Sequence, residues 1–428
     1  MTNYNKKSGA LMDRLLIETM TLGPYGIARL DGNTVMVPRV APGDLVEVEI
    51  DELKRSHALA RLARVVQPGR DRRAAPCPYQ AQCGGCDWQQ IAYAAQLELK
   101  SALLAAEFRR ALGVPLPRDG LVQAAPAEFG YRARIRLGVG RNGELGYHEL
   151  SGRHLVPIAS CLISEVELTP AVPLARLLRG SCREIELVKK SAQVVLIARL
   201  ARGLSASDRA SIRRILEQDA NLAGVICSGA HGRELIGDCA ITFSPEPGCD
   251  LTIPADCFTQ VNRLQNQRLV ATVMELARPE AGMTVLDLYC GVGNFTFPAT
   301  RRGATVLGVD ADPIAISAAR ANATRSGLPA EFIAMPADET AEFLKRAHYR
   351  PDIVLMDPPR GGAAKLLDAL AQLRPTRIFY VSCEPHTLIR DLARLQARQY
   401  QITRVQAFDL FPNTHHLETV VQLDRLSA

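Results

Sequence analysis

The sequence predicts a multidomain protein with an N-terminal OB-like β-barrel, a central β-rich domain and a C-terminal doubly wound α/β domain. Its 428 residues suffice for two to four domains at roughly 100–200 residues each. Short alternating strands with Gly, Asn and Pro turns fill the first part, whereas continuous apolar strands separated by helices fill the last. The predicted domains are 8–67 (barrel), 68–92 with 125–257 (central) and 93–124 with 258–428 (α/β).

The composition is that of an ordinary globular protein, with 47% hydrophobic and 22% charged residues. No apolar run reaches the roughly 18 residues of a membrane-spanning helix, so we expect no membrane partner. The apolar core and cleavage site of a secretory signal are absent from the N-terminal stretch MTNYNKKSGALMDRLLIETM. We therefore expect a cytoplasmic monomer, in which the eleven cysteines are metal ligands, nucleophiles or packing residues rather than disulfides.

The N-terminal element is predicted to be a barrel of short strands. The stretch 25–50 alternates apolar and polar residues around a hairpin turn at Asp31-Gly32-Asn33. A basic stretch follows from Lys54 to Arg73, where seven Lys and Arg residues stand against one acid, Asp71. Such a stretch binds phosphates or is a solvated linker, and the sequence leaves both alternatives open.

The central part offers a second basic pattern. The strand-like stretch YRARIRL at 131–137 places Arg132, Arg134 and Arg136 on one face. This pattern predicts an arginine face directed at RNA phosphates, with a solvated sheet face as the alternative. Helical periodicity predicts helices at 93–112, at 208–217, and at 313–326 and 385–398 in the α/β domain.

The first apolar strand of the α/β domain leads into a glycine loop, VLDLYCGVGNFTFP at 285–298. Gly291 and Gly293 allow the backbone to turn tightly and to approach a ligand. Thr296 occupies the position where dinucleotide-binding loops need Gly or Ala, which disfavours a nicotinamide cofactor. Asp310 ends the second strand, where a carboxylate can bind ribose hydroxyls. This arrangement is typical of S-adenosylmethionine (SAM) methyltransferases.

Two later strand ends carry reactive groups. DPPR at 357–360 ends strand four and resembles the motif of amino-group methyltransferases, although Arg360 replaces the aromatic residue. Cys383 ends strand five just before a helix, whose dipole is expected to lower the pKa of the thiol. A thiolate beside SAM suits uracil methylation, because its addition to C6 makes C5 nucleophilic.

A base is needed to remove the C5 proton, and FPNTHHLE at 411–418 supplies the candidates. Glu418 stands where the last strand begins, and His415 and His416 are the alternatives. A histidine pair in a loop is more often structural or solvated than catalytic.

Three cysteines crowd the loop CPYQAQCGGC, namely Cys77, Cys83 and Cys86. Their spacing differs from the paired knuckles of zinc fingers. With a fourth thiolate, zinc and a [4Fe–4S] cluster suit the site equally by ligand type.

Together these motifs resemble those of the RNA uracil-5-methyltransferases, and most closely the 23S rRNA (uracil-5-)-methyltransferases that carry an iron–sulfur cluster. The resemblance rests on CFTQVN at 257–262, DLYCGVGNFT, DPPR, SCEP and FPNTHHLE, in the order and spacing of the family. It implies that Cys383 is the nucleophile and Glu418 the proton-abstracting base. It also implies a SAM site lined by Gln260, Tyr289, Asn294, Asp310 and Asp357.

The resemblance further implies a [4Fe–4S] cluster held by Cys77, Cys83, Cys86 and Cys161. It identifies the barrel as a TRAM domain that binds RNA, and large-subunit rRNA as the substrate. Phe258 is a candidate for stacking on a flipped base. Family members often have Glu at the position of Asp310, and Asn where this chain has Pro336. We expect Asp338 to replace that adenine contact.

Three alternatives remain open from the sequence. The same chemistry would act on the T-loop uridine of tRNA, whose enzymes usually lack the barrel and the cluster. A non-catalytic iron–sulfur RNA-binding protein would keep the fold without the reaction. Methylation of cytosine C5 is disfavoured, because RNA cytosine enzymes use two working thiols and only Cys383 is placed to act.

Overall fold

The computed structural model describes most of the chain. The described ranges are residues 13–152, 154–169, 182–200, 202–230 and 232–426, without the side chains of Ala337, Asp338 and Ala341. The predicted start of the barrel at residue 8 and the predicted adenine contact of Asp338 therefore lie outside the described residues. No helix in these ranges is long and apolar enough to cross a membrane.

Six strands form the N-terminal sheet in the order β1-β5-β6-β4-β3-β2. The predicted hairpin turn is confirmed, because Asp31 and Gly32 have φ of 49° and 79°, the left-handed pair that matches strand twist. Alternate valines of the sheet point inward and fill its core. The strands are β1 (Asp13–Leu16), β2 (Thr19–Met20), β3 (Tyr25–Leu30), β4 (Asn33–Pro38), β5 (Leu45–Leu53) and β6 (Ala58–Gln67).

Most of the basic stretch 54–73 is paired with acids. The ion pairs are Lys54–Glu52, Arg61–Glu49, Arg64–Glu47, Arg72–Asp44 and Arg73–Glu128. Pairing of this kind neutralises the field that would attract a phosphate backbone. Most basic side chains of this stretch therefore form ion pairs within the protein itself.

The central sheet has seven strands in the order β10-β9-β8-β11-β12-β13-β14, beside a separate pair β15-β16. The predicted helix at 208–217 is confirmed and slightly longer, because Ser205 and Asp208 form a capping box before it. The elements are α1 (Tyr93–Leu112), β7 (Val122–Gln123), β8 (Arg134–Val139), β9 (Leu145–His148), β10 (Leu155–Pro157), β11 (Cys182–Lys190), β12 (Gln193–Leu200), α2 (Ala206–Gln218), β13 (Leu222–Gly229), β14 (Gly232–Gly237), β15 (Ala240–Phe243) and β16 (Leu251–Pro254).

The predicted arginine face directed at RNA is wrong. Arg134 is 8% exposed, and its guanidinium donates to two carbonyl oxygens of the 255–257 turn at 2.6 and 2.7 Å. Arg132 lies over the ring of Phe411, 5.7 Å from its centroid. Arg136 alone is exposed, and two glutamates of β11 pair with it. β8 lies between β9 and β11 in its sheet, and the 255–257 turn contacts Arg134. The alternating arginines therefore do not form a face that is exposed to solvent along its length.

The C-terminal sheet has eight strands in the order β19-β18-β17-β20-β21-β23-β22-β7. Its first five strands are parallel, as predicted, whereas β23 runs antiparallel between β21 and β22. The carboxyl ends of the parallel strands meet at one edge, where open α/β sheets bind ligands. The strands are β17 (Thr284–Leu288), β18 (Thr305–Asp310), β19 (Ala330–Ala334), β20 (Ile353–Met356), β21 (Arg377–Ser382), β22 (Tyr400–Phe408) and β23 (Glu418–Arg425).

Helices cover both faces of this sheet. The residues of β17 alternate between two apolar cores, Val285 in one and Leu286 and Leu288 in the other. The helix predicted at 313–326 is confirmed at its bounds, and the one predicted at 385–398 ends two residues earlier. The helices are α3 (Arg263–Ala277), α4 (Thr296–Arg301), α5 (Pro313–Ser326), α6 (Ala337–Arg346), α7 (Leu367–Leu373) and α8 (Pro385–Gln396).

The helix α1, confirmed at its predicted residues and ending at Gly113 with φ 68°, is bound to the end of β22 by a buried ion pair. Lys100 Nζ lies 2.8 Å from Asp409 Oδ1, and both side chains are fully buried. The ammonium also lies 5.8 Å from the ring centroid of Trp88, within cation–π range. This pair anchors the start of the connection between β22 and β23.

Replacing Lys100 by methionine is expected to lower the free energy of unfolding by about 3–5 kcal/mol, because it leaves a buried carboxylate unpaired. The matched control is Arg110→Met on the same helix, whose pair with Glu107 is exposed and contributes little. Chemical denaturation of both variants measures the difference. Equal stability of the two variants would contradict the assignment.

Candidate active site

The loop after β17 has the strained backbone of a ligand-binding turn. Tyr289, Gly291 and Gly293 all have positive φ, at 61°, 54° and 97°, which is costly for a tyrosine. A Cβ built on Gly293 would lie 2.6 Å from the ring of Phe297, so only glycine fits there. The turn brings backbone groups to the carboxyl edge of the sheet, where Tyr289 was predicted to contact the cofactor.

Asp310 holds this glycine loop in place. One of its carboxylate oxygens accepts from Gly291 N at 2.9 Å and the other from Asp312 N at 2.8 Å. Each oxygen has a second lone pair, which remains suited to the hydroxyls of a ribose. The side chain therefore has a structural role, and its binding role stays a prediction.

A second carboxylate, Asp287, is buried beneath the loop. Its Oδ2 accepts from Thr296 Oγ1 at 2.6 Å, and its Oδ1 has no hydrogen-bond partner among the described residues. Burial, with help from Asp357 and Asp310, raises the pKa of Asp287 to about 7. A buried acceptor left open in this way is suited to a donor group on a ligand.

Two amide side chains complete the crevice. Gln260 Nε2 donates to Asp357 Oδ2 at 3.4 Å, so the carboxylate after β20 meets the CFTQVN segment. Asn294 exchanges two hydrogen bonds with buried Asn266, at 2.9 and 3.1 Å. The structure thus brings the five predicted cofactor residues to one edge of the sheet. Phe258, two residues before Gln260, is 68% exposed.

Cys383 lies at the end of β21 among charged groups. Burial raises the pKa of its thiol to about 12, and the carboxylates of Glu418 and Asp357 add to the rise. The guanidinium of Arg360 opposes it. The residue predicted as nucleophile and the one predicted as base are therefore neighbours.

The predicted lowering of the Cys383 pKa by the helix dipole is wrong for the ligand-free protein. A helix terminus contributes a partial charge, whereas desolvation and two nearby carboxylates act together in the opposite direction. The thiol is therefore neutral at rest.

Glu418 is the first residue of β23 and is 2% exposed. Burial raises its pKa well above the ordinary value of a glutamate, Asp357 adds to the rise, and Arg360 opposes it. Its Oε1 has no hydrogen-bond partner among the described residues. A desolvated carboxylate with an open oxygen has the properties of a general base.

The two histidines of the FPNTHHLE motif have different partners. His415 donates from Nδ1 to the carboxylate of Asp87, which also accepts from the backbone N of His415 at 3.1 Å. His416 Nε2 lies 3.4 Å from Arg360 Nη2. Burial, with His415 and Arg360, lowers the pKa of His416 to about 3. A neutral His416 accepts from the guanidinium, so both histidines have protein partners, and the assignment of Glu418 as the base stays a prediction.

The four predicted ligand cysteines line one cavity of about 170 Å³. Cys77, Cys83 and Cys86 belong to the cysteine loop, and Cys161 follows β10 in the central part of the chain. The guanidinium of Arg39, which extends from the N-terminal sheet, donates to three carbonyl oxygens of residues 80–83. Among the described side chains, no group of three or more His, Cys, Asp and Glu is arranged to hold a single metal ion.

Three contributions were missed by the sequence-based prediction. Asp287 belongs to the recognised glycine-loop motif, but its open oxygen is visible only in the folded chain. Asn266 stands in a helix with no local signal of its contact with Asn294. Arg360 was interpreted as a departure from another motif, whereas its guanidinium opposes the rise in the pKa of Cys383.

Comparisons with known proteins agree with this geometry. The profile described as tRNA (Uracil-5-)-methyltransferase matches residues 251–426, and the TRAM-domain profile matches residues 14–63. The 23S rRNA (uracil(1939)-C(5))-methyltransferase RlmD of Salmonella typhimurium is 32% identical over 412 residues, which cover 94% of this chain and 93% of the relative. The chain belongs to the RNA uracil-5-methyltransferase family. The enzyme of the same name from Shewanella amazonensis is 33% identical, with 92% and 91% of the two chains covered.

A solved member of the family has the same fold over nearly the whole chain. The Pyrococcus abyssi tRNA (uracil-54, C5)-methyltransferase, in complex with S-adenosyl-L-homocysteine, matches with a TM-score of 0.75 and 26% identity. The match covers 96% of this chain and 100% of that one. The predicted family, enzyme class, TRAM domain, RNA substrate and SAM cofactor are thus confirmed, and the non-catalytic alternative is not supported.

Proposed function

We propose that this enzyme methylates C5 of a uridine in large-subunit 23S rRNA through a covalent adduct between Cys383 and C6. The observation that carries the proposal is the grouping of a thiol, a buried carboxylate, a half-buried carboxylate and a guanidinium at one edge of the sheet. Cys383 is the nucleophile, Glu418 the base, and Arg360 the cation that favours the thiolate.

The reaction balances with these groups alone on the protein side. The thiol releases its proton to solvent and forms a bond from Sγ to C6, which moves the C5=C6 electrons onto C5 and O4. When bound, SAM would supply an electrophilic methyl group on a sulfonium and would leave as S-adenosyl-L-homocysteine once C5 has accepted the methyl group. Glu418, as the carboxylate, then takes the C5 proton, the double bond reforms, and the bond from Sγ to C6 breaks to return the thiolate.

For the cofactor itself we propose the residues that surround the glycine loop. Asp310 is suited to the ribose hydroxyls, and the open oxygen of Asp287 to a donor group. An array of carboxylates around the crevice also favours a cation. The proposed cofactor contacts are Gln260, Tyr289, Asn294, Asp310 and Asp357.

We further propose that Cys77, Cys83, Cys86 and Cys161 hold a [4Fe–4S] cluster. Thiolates are the ligands that such clusters require. The four side chains line one cavity of about 170 Å³, which gives room for a cluster of several ions. The cluster would join the cysteine loop to the central sheet, in a structural and RNA-folding role.

The choice of rRNA rests on relatives more than on architecture. The rRNA enzymes are 32–33% identical to this chain, against 26% for the archaeal tRNA enzyme. Because that tRNA enzyme matches 96% of the chain, the overall architecture does not separate the two substrates. The T-loop uridine of tRNA is therefore the second candidate.

Incubation of anaerobically purified protein with labelled SAM, a large-subunit rRNA transcript and a tRNA transcript tests the substrate. We expect 5-methyluridine at one position of the rRNA, mapped by nuclease digestion and mass spectrometry. Label confined to the tRNA would contradict the proposed rRNA substrate and leave the proposed reaction standing. Label in neither RNA would contradict both.

A further inference from the structure

The segment 409–417, here called the hairpin loop, joins β22 to β23 and leads directly into Glu418. Most of the residues that bind it lie outside the C-terminal sheet. Asp409 is bound to Lys100 of α1, and the carbonyl of Pro412 accepts from Tyr131 Oη at 3.0 Å. The position of the loop beside the active site is thus set by other parts of the chain.

Asn413 is the central residue of these contacts. It is fully buried and has a left-handed φ of 69°. Its backbone N donates to Gln96 Oε1 at 2.9 Å and its carbonyl accepts from Trp88 N at 3.0 Å. Its side chain accepts from Arg73 and donates to the carbonyl of Glu128. Fully satisfied buried networks of this kind hold one conformation.

A continuous line of contacts runs from the cysteine loop to the nucleophile. Asp87, the residue after Cys86, holds both the backbone N and the ring of His415. The rings of His415 and His416 lie with centroids 4.1 Å apart. The next contact is from His416 Nε2 to Arg360 Nη2 at 3.4 Å, and the Arg360 guanidinium is the cation that opposes the rise in the pKa of the Cys383 thiol.

We infer that Asp87 is a positioning residue for the methylation reaction. Resting on the proposed covalent mechanism, this role has three steps: Asp87 fixes His415, His416 in ring contact with His415 holds the Arg360 guanidinium, and Arg360 is thereby kept beside Cys383. The cysteine loop is then part of the active-site scaffold as well as a ligand loop.

Trapping with RNA that contains 5-fluorouridine measures the step concerned. Fluorine at C5 cannot be removed by a base, so the adduct accumulates after thiol attack and methyl transfer and survives denaturing gels. The RNA is the rRNA or tRNA transcript that wild type methylates. SAM affinity by calorimetry and iron content per protein are measured on the same preparations.

Asp87→Ala is expected to slow trapping by roughly 10–100-fold, the scale of a misplaced catalytic group, with SAM affinity and iron content unchanged. Asp87→Asn, which keeps one acceptor for His415 N, should fall between Asp87→Ala and wild type. His415→Gln leaves the sequence of the cysteine loop unchanged and should slow trapping similarly. Its matched control is His348→Gln, an exposed histidine before β20, at the opposite edge of the sheet.

Each outcome decides between two statements. If wild type forms no adduct, the covalent mechanism fails. If wild type forms it and both Asp87→Ala and His415→Gln form it equally fast, only the positioning role fails. If Asp87→Ala slows trapping only together with loss of iron, and His415→Gln has no effect, Asp87 supports the cysteine site alone and the inference is overturned.

Discussion

Replacing Cys383 by serine is expected to reduce RNA methylation by on the order of 10³-fold or more, the scale on which loss of a covalent nucleophile acts. A hydroxyl in the same place is a much weaker nucleophile than a thiol, and the neighbouring carboxylates disfavour its ionisation as well. SAM affinity should be unchanged, because Cys383 is proposed to contact the uracil ring of the RNA and not the cofactor. Methyl transfer from labelled SAM and calorimetry measure the two quantities.

The matched control for this variant is Cys182→Ser. Cys182 is buried at the start of β11, and burial also raises its pKa to about 12, but it lies in the central sheet. Its replacement should leave the methylation rate close to that of wild type. Equal activity of Cys383→Ser and Cys182→Ser would mean that the reaction proceeds without a covalent adduct.

Replacing Glu418 by glutamine is expected to stop the reaction after methyl transfer. Glutamine keeps the size of the side chain and cannot accept the C5 proton, so β-elimination is blocked. Methylated RNA should then remain attached to the protein, as a complex that survives denaturing gels even with ordinary uridine. Turnover should fall by roughly 10²–10⁴-fold, the usual contribution of a general base.

Two variants separate the base from its neighbours. The double variant Cys383→Ser with Glu418→Gln should form no attached RNA, because the bond that holds it is absent. His416→Gln should not accumulate methylated adduct, because that ring is assigned to Arg360 and not to the C5 proton. Accumulation in His416→Gln and not in Glu418→Gln would transfer the role of base to the histidine.

Much of the candidate site was predictable because its residues occur in short motifs at strand ends. The glycine loop, Asp310, Cys383 and Glu418 each follow or begin an apolar strand, and parallel strands bring their carboxyl ends to one edge. The helices at 93–112 and 313–326 were predictable for a similar reason, since their periodicity and end signals are local.

Predictions that depended on burial failed or were incomplete. The alternation at Arg132, Arg134 and Arg136 is real, but Arg134 is buried as a donor to the carbonyl oxygens of a distant segment and Arg132 lies over the ring of Phe411. The Cys383 pKa was predicted from the helix that follows it, whereas burial of the thiol dominates and the carboxylates of Glu418 and Asp357 add to its effect.

By itself, the sequence determined the reaction class, the order of the motifs and the residues that can carry charge or a nucleophile. Only the tertiary structure decided that Arg360 meets Cys383, that Asp87 holds His415, and that the hairpin loop is bound to the cysteine loop. The physical reason is the separation along the chain of the groups that interact. Turns, helix ends and strand alternation follow from neighbours along the chain, whereas desolvation and ion pairing depend on groups that only folding brings together.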